Sequence, residues 1–145
     1  MTHQPRYAAA LDQGTTGTRF MIFDRQGRVV ASCYEEHTQV CPQPGWVEHD
    51  PGEIWEKTRR VIAGALGQGD VSPQQLAAIG ITNQRETTVV WDPHTGQPLH
   101  NAVVWQDTRT REICQRLIAD GLEETFRVKT GLPIATYFSG PKLKW

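Results

Sequence analysis

The chain has 145 residues, enough for one ordinary domain and too few for two, so its length predicts a single core. Hydrophobic residues make up 38% and charged residues 21% of the sequence, a balance that is typical of a folded protein and excludes a disordered tail. Fifteen Lys and Arg residues against sixteen Asp and Glu give a formal charge of −1. No basic excess therefore favours nucleic acid as a partner.

The cysteines and the N-terminus indicate the cellular compartment. Cys33, Cys41 and Cys114 are odd in number and lack the spacing of a zinc site or a disulfide framework. The chain starts with polar residues, and no later run approaches the ~18 apolar residues of a membrane span. The histidines are not clustered, so they do not predict a metal site. These features predict a cytoplasmic protein with reduced thiols and no membrane span.

The first third of the sequence predicts three antiparallel strands. Apolar runs at residues 7–11, 19–23 and 29–34 are separated by turn-forming segments. The first turn contains Gly14 and Gly17, and the second contains Gly27, which can take the positive φ that a short hairpin needs. We therefore expect a three-stranded meander.

A helix and a parallel strand are predicted next. Residues 39–50 carry two prolines and a glycine and are expected to form a loop. Asp50, Pro51 and Glu53 form a helix-start pattern. The apolar positions that follow at helical spacing are expected to pack on the sheet: Ile54, Trp55, Thr58, Val61, Ile62, Ala65 and Leu66. The continuous apolar run at 76–81 then predicts a buried strand, parallel to an earlier one because a helix connects them.

The second half predicts two more strands and a second helix. Residues 87–91 and 102–105 have strand composition and are divided by a turn-rich segment. A helix is expected from about Thr108 to Asp120, with Gly121 ending it, and a further helix is expected to begin near the C-terminal end of the sequence. Together the elements predict an α/β fold with a mixed sheet and crossover helices.

The turn after the first strand is a candidate phosphate site. Asp12 ends a strand and is followed by Gly14 and the hydroxyls of Thr15, Thr16 and Thr18. Such a turn can present amides and hydroxyls to a nucleotide's phosphates, while the carboxylate holds Mg²⁺ through water. An ordinary surface turn has the same composition. Neither a P-loop nor a dinucleotide-binding motif is present in the sequence.

Residues 83–86 follow the predicted parallel strand, at the edge where α/β sheets bind ligands. Glu86 can accept and Arg85 can donate hydrogen bonds to hydroxyl groups, and Trp105 offers a flat apolar wall to a carbon skeleton. Tyr137 can add one hydroxyl contact. A polyhydroxyl substrate would suit this set. A solvated Arg–Glu pair and a core tryptophan are the alternatives.

Four segments, residues 12–19, 45–51, 80–88 and 137–140, together resemble the glycerol kinases of the FGGY carbohydrate kinase family. The resemblance covers nearly the whole chain. It implies an actin-like, ribonuclease-H-like fold and ATP-dependent phosphorylation of glycerol to sn-glycerol 3-phosphate, with Mg²⁺. The corresponding piece would be the N-terminal part of the first actin-like domain (residues 1–145), with the second, nucleotide-binding domain absent.

The resemblance also assigns roles to individual residues. At the nucleotide it places Thr15, Thr16, Gly17 and Arg19, and at the product phosphate Thr15 again. At glycerol it places Arg85, Glu86, Trp105 and Tyr137. Asp12 matches the family's Mg²⁺-linked acid, whereas the general base and the adenine site have no counterpart here. Some relatives have serine at the position of Gly17, so a backbone contact is expected there.

The resemblance further implies that the complete enzyme is a homo-oligomer and that the 145-residue piece alone is inactive, since half of the phosphate clamp is missing. Two alternatives stay open. The complete enzyme can act on another polyol or a ketose, or the chain can be a truncated, non-catalytic binding module.

Overall fold

A computed structural model describes residues 6–145, and these form two compact units instead of the single core that the length predicts. Unit 1 comprises residues 6–38 and 51–84, and unit 2 comprises residues 39–50 and 85–145. Residues 1–5, part of the polar start on which the prediction of a cytoplasmic protein rests, lie outside the described residues. Within residues 6–145, no helix has both the length and the apolar composition needed to cross a membrane.

In the part of the chain that the structure describes, most of the strands lie in the first half, and three of the four α-helices follow one another in the second half. In sequence order, the elements within residues 6–145 are β1 (Tyr7–Gln13), β2 (Gly17–Phe23), β3 (Val29–Glu36), β4 (Glu48–His49), α1 (Pro51–Gln68), β5 (Leu76–Thr82), β6 (Ala102–Val103), α2 (Arg111–Ala119), α3 (Glu123–Thr130) and α4 (Ser139–Lys144).

The sheet of unit 1 has the strand order β3-β2-β1-β5. β1 pairs antiparallel with β2, and β2 pairs antiparallel with β3, which confirms the predicted meander. β5 pairs parallel with β1, as expected for a strand reached through a helical crossover. The turn before β3 has Gly27 at a φ of 75°, the left-handed conformation that the sequence predicted.

The core of unit 1 lies between the sheet and α1. Phe20 and Ile22 of β2 and Val61 and Ala65 of α1 are fully buried. α1 begins at Pro51 and ends at Gln68, close to the predicted limits. Trp55, predicted to lie on the inward face of α1, is instead 62% exposed. Each residue turns a helix by about 100°, so Trp55 lies at the margin of the apolar stripe centred on its neighbours.

β5 is a strand as predicted, but it is not buried. Ile79 is 49% and Ile81 is 71% exposed. The reason is topological: β5 is the edge strand beyond β1 within residues 6–145, and α1 packs against β2 and β3. The continuous apolar run at 76–81 therefore forms a strand, as predicted. No helix among the described residues covers this strand, although strands with such runs are usually buried on both faces.

Unit 2 contains less regular sheet than the sequence predicts. The expected strand at 87–91 is wrong, and the one at 102–105 shrinks to β6, which pairs with β4 over two residues each. Thr88 and Val103 exchange both backbone hydrogen bonds, at 3.0 Å, but form an isolated bridge. Trp91 forms a second isolated bridge with Pro98, so residues 87–91 pair at one position each with two different segments and not with one continuous strand.

The helices of unit 2 follow the chain from residue 111 onward. α2 begins three residues later than predicted, buries Cys114 and is followed by Gly121 at a φ of 72°. α3 was not predicted, because none of its residues is buried and no apolar stripe marks it. Its acidic first turn, its basic last turn and the left-handed Gly131 that caps it are the signals that favour a helix there.

A buried arginine connects separate segments of unit 2. The side chain of Arg109 is fully buried, and its guanidinium contacts Asp107 at 2.8 Å and Glu48 at 2.7 Å. The same group lies over the rings of Trp46, at 3.9 Å, and Trp145, at 4.7 Å. Burial by itself would raise the pKa of Glu48, but hydrogen bonds from Asn101 and Arg109 outweigh it and lower that pKa.

We expect the variant Arg109→Met to lose about 3–5 kcal/mol of unfolding free energy, because it leaves two buried carboxylates without their cation. Arg127→Met is the matched control, since Arg127 forms an exposed pair with Glu124 worth only about 0–1 kcal/mol. Urea unfolding followed by circular dichroism measures both. Equal losses in the two variants would contradict the role given to Arg109.

Candidate functional site

The turn between β1 and β2 carries the residues predicted to bind a nucleotide. Asp12, near the end of β1, is half-buried and pairs in register with Arg19 of β2. The Gly14 amide donates to the Gly17 carbonyl at 3.0 Å and closes the turn. Thr15 and Thr16 lie at its tip, half-buried and exposed respectively. The structure therefore brings the nucleotide candidates together in one short hairpin.

Gly17 has no room for a side chain. A Cβ added there would lie 2.5 Å from the Glu35 carbonyl oxygen and 2.6 Å from the Tyr34 ring. That ring also contacts Arg19, whose guanidinium lies 5.1 Å from its centroid. Glycine is thus required by the close approach of β3 to β2 at this point, and any ligand contact from residue 17 comes from its backbone.

A network of side-chain hydrogen bonds holds the β1–β2 hairpin in place. The fully buried Thr18 donates to Gln13 Oε1 at 2.6 Å and lies 3.2 Å from His37 Nε2. Gln13 in turn donates to Thr58 of α1 at 3.1 Å. On the other side of the turn, Gln84 donates to the Gly14 carbonyl at 2.8 Å. The hairpin is therefore fixed by side chains from β3's end, from α1 and from the segment after β5.

Glu86 is the centre of the second candidate cluster, in unit 2. Its backbone has a φ of 63°, which is unusual for a residue other than glycine. Its carboxylate accepts hydrogen bonds from the Ser139 amide at 2.7 Å and the Ser139 hydroxyl at 2.8 Å. These bonds, with the Lys142 charge, hold the pKa of Glu86 below its ordinary value despite partial burial. Glu86 is therefore ionised at neutral pH.

The other polyol candidates lie around Glu86 in the same unit. The rings of Trp105 and Tyr137 contact each other edge to face, with centroids 5.9 Å apart. Lys142 donates to the carbonyls of Glu86, at 2.5 Å, and Tyr137, at 2.8 Å. Arg85 is exposed beside Glu86. The structure thus supplies a carboxylate, a cation and two aromatic rings, a set that suits several hydroxyl groups on a short carbon chain.

Ser139 and Lys142 were missed by the sequence analysis. Ser139 lies within the recognised segment 137–140, yet a serine beside a glycine carries no sign of a distant carboxylate partner. Lys142 is only 4% exposed, although lysine is almost never buried without a partner. Neither contact has a local sequence pattern, because the partners are more than 50 residues apart.

The carboxylates of the chain suit a magnesium ion that binds mainly through water and phosphate. Within residues 6–145, no group of three or more His, Cys, Asp or Glu side chains is arranged to hold a metal. Mg²⁺ usually keeps several waters and binds one or two carboxylates together with substrate phosphates. Asp12, a single half-buried carboxylate beside the turn, fits that mode of binding and not a cage made by protein ligands alone.

Comparison with known proteins decides the family. Residues 7–145 match the N-terminal domain of the FGGY family of carbohydrate kinases. The chain belongs to the FGGY family. It is 63% identical over 140 residues to a glycerol kinase of Roseiflexus sp. strain RS-1, covering 97% of this chain and 28% of that protein.

Solved structures of FGGY kinases have the same fold. A crystal structure of Plasmodium falciparum glycerol kinase with ADP matches with a TM-score of 0.88 at 36% identity, over 98% of this chain and 28% of that one. A ligand-bound xylulose kinase from Lactobacillus acidophilus matches with a TM-score of 0.87 at 25% identity, over 96% of this chain and 28% of that one. The expected actin-like, ribonuclease-H-like α/β fold is confirmed, and the chain spans little more than a quarter of these FGGY proteins.

We expect Gly17→Ala to lower the unfolding free energy by about 1–3 kcal/mol, because the new methyl group overlaps the Glu35 carbonyl and the Tyr34 ring. Gly80→Ala is the control: Gly80 also lies in a strand of this sheet, and a Cβ there meets nothing within 4 Å. Alanine at position 80 should be neutral or stabilising. Chemical denaturation compares the two, and similar effects would contradict the close approach at residue 17.

We expect the unfolding free energy to fall at acidic pH because of His37, which lies beside Thr18 in the hydrogen-bond network of the hairpin. Burial and the Lys57 charge lower the pKa of His37, while the Glu53 charge and the Gly14 carbonyl act in the opposite direction. Below a pH of about 6.5, the unfolded chain takes up a proton at this position more readily than the folded chain. Part of the stability is therefore lost as the pH falls below that value.

The check is the unfolding free energy of the wild type, His37→Gln and His94→Gln at pH 7.5 and 5.5. His37→Gln should flatten the pH dependence, whereas His94→Gln, at an exposed histidine, should leave it unchanged. A wild-type pH dependence that persists in His37→Gln would assign the effect to other groups.

Proposed function

We propose that the chain is the N-terminal segment, within the first actin-like domain, of an ATP-dependent kinase that converts glycerol to sn-glycerol 3-phosphate. The observation that carries the proposal is the 63% identity to a glycerol kinase across 140 residues, a span that includes both candidate clusters. The proposal concerns the complete enzyme. The 145-residue chain contains no general base assigned to this reaction and is expected to be inactive alone.

In this proposal, the residues that bind glycerol lie in unit 2. The ionised Glu86 accepts hydrogen bonds from two glycerol hydroxyls, and Arg85 donates to their oxygens. Trp105 and Tyr137, whose rings contact each other, form an apolar wall for the carbon chain, and the Tyr137 hydroxyl adds a polar contact. Hydroxyl groups held in this way keep one primary oxygen in a defined orientation for phosphoryl transfer.

The residues proposed to bind the nucleotide lie in the β1–β2 hairpin of unit 1. Thr15, Thr16 and the Gly17 backbone bind ATP, Arg19 contacts ADP, and Thr15 also contacts the product phosphate. Asp12 would hold Mg²⁺ through water, and the bound ion would supply positive charge against the negative charge that develops on the transferred phosphoryl group. We further propose that the complete enzyme is a cytoplasmic homo-oligomer.

A second candidate is phosphorylation of another polyol or a ketose. It is favoured by the fold similarity to a xylulose kinase at a TM-score of 0.87, since a shared backbone does not choose the substrate. The side chains of residues 83–86 and the identity to a glycerol kinase favour glycerol.

A chimera tests the choice of substrate. Residues 7–145 would replace the matching segment of the Roseiflexus glycerol kinase, giving a full-length enzyme whose ADP release is measured with glycerol, xylulose and gluconate. We expect ATP- and Mg²⁺-dependent activity with a clear preference for glycerol. Preference for xylulose or gluconate would favour the second candidate, and a folded but inactive chimera would contradict the proposed function.

Within the chimera, Glu86→Ala should reduce kcat/KM for glycerol by roughly 10- to 100-fold, because it removes charge-assisted hydrogen bonds worth about 1.5–3 kcal/mol. Glu123→Ala, at an exposed glutamate of α3, is the matched control and should leave kcat/KM unchanged. Unaltered glycerol kinetics in Glu86→Ala would remove Glu86 from the substrate site.

A further inference from the structure

Lys142 of α4 is buried, and its ammonium group donates hydrogen bonds to two backbone carbonyls. It is 4% exposed, whereas Lys144, two residues later in the same helix, is exposed. A buried ammonium group is costly unless its donors are satisfied. Lys142 places two of its three N–H donors on backbone carbonyls, those of Glu86 and Tyr137. Both acceptor residues are candidates for the polyol site.

The backbone of Glu86 needs such support. A residue with a side chain at a φ of 63° is in a sparsely populated conformation that costs on the order of 1–3 kcal/mol and persists when its surroundings fix it. Lys142 holds the carbonyl of this residue at 2.5 Å. The left-handed backbone in turn determines the direction in which the Glu86 side chain leaves the chain.

The carboxylate of Glu86 is fixed from the same helix. Ser139, the first residue of α4, donates both its amide and its hydroxyl to one carboxylate oxygen, Oε2, at 2.7 and 2.8 Å. Because both donors are on one oxygen, a substrate hydroxyl would bind the carboxylate at its other oxygen, Oε1. Backbone and side chain of Glu86 are therefore held by residues three positions apart on α4.

We propose that Ser139 and Lys142 are positioning residues of the polyol site: Lys142 holds the backbone of Glu86 and Tyr137 in place, and Ser139 orients the Glu86 carboxylate. The proposal rests on the proposed function and deepens it, because it names the groups that give the substrate residues their geometry. Neither residue contacts substrate, and both act through Glu86 and Tyr137.

A positioning role makes a kinetic prediction that a purely structural role does not. Loss of either group should change the geometry of the polyol site and leave the hairpin of unit 1 unaltered. In the chimera described above, we expect Ser139→Ala and Lys142→Met each to raise KM for glycerol about 10-fold or more, with KM for ATP changed less than twofold. Ser139→Thr, which keeps both donors, should restore a KM near that of the parent.

Lys144→Met is the matched control for Lys142→Met, because it removes the same charge from an exposed position of the same helix. It should leave both KM values unchanged. If Lys142→Met does not fold, Lys142→Gln takes its place, since the amide keeps a donor; it should raise KM for glycerol by a smaller factor than Ser139→Ala, with KM for ATP unchanged.

The outcomes separate this proposal from the one on which it rests. An inactive parent chimera contradicts the proposed function. An active parent in which Ser139→Ala and the Lys142 variant leave KM for glycerol unchanged, or raise both KM values equally, contradicts the positioning role alone. Failure of Ser139→Thr to restore KM would also contradict it, because the threonine hydroxyl and amide reproduce the donors to Glu86.

Discussion

Unit 2 depends on the interactions of the Arg109 guanidinium. The strands of unit 2, β4 and β6, pair over only two residues each, so backbone hydrogen bonds between strands contribute little to holding the segments of this unit together. Arg109 instead bonds to Glu48 of β4 and to Asp107, and its planar face packs on Trp46 and Trp145. Arginine suits this place because it donates in a fixed plane while stacking on aromatic rings.

That interaction is connected to the candidate polyol site by position in the chain. Trp145 directly follows α4, the helix that contributes Ser139 and Lys142 to Glu86. Fixing Trp145 against a buried guanidinium therefore fixes the end of the short helix on which the geometry of Glu86 depends. Six residues make too short a helix to be stable by itself, so its place is determined by tertiary contacts at both ends.

The sequence predicted the features that have a local pattern. The meander, the start of α1 and the crossover to β5 follow from apolar periodicity, from Pro51 and from glycine turns. What it did not predict depends on contacts between distant residues. The exposure of β5 depends on which strands α1 covers, and the loss of the strand at 87–91 depends on its pairing with two separate segments, at Val103 and at Pro98. The pairing of Lys142 with the carbonyls of Glu86 and Tyr137 likewise has no periodicity to reveal it.

The two candidate clusters differ in how they are built, and the difference bears on specificity. At the hairpin there is no room for a side chain on Gly17, so a nucleotide bound there as proposed would contact backbone and short hydroxyl groups, which suit phosphates in any nucleotide. At Glu86, a polyol bound as proposed would be recognised by the direction of one carboxylate and by two aromatic rings. A family whose members share a backbone and act on different sugars can vary the second kind of site without altering the first. Ser139 of α4 donates both of its hydrogen bonds to the Glu86 carboxylate. If Glu86 binds the polyol as proposed, substitutions in α4 are expected to change the preferred polyol without any change in a residue that contacts it.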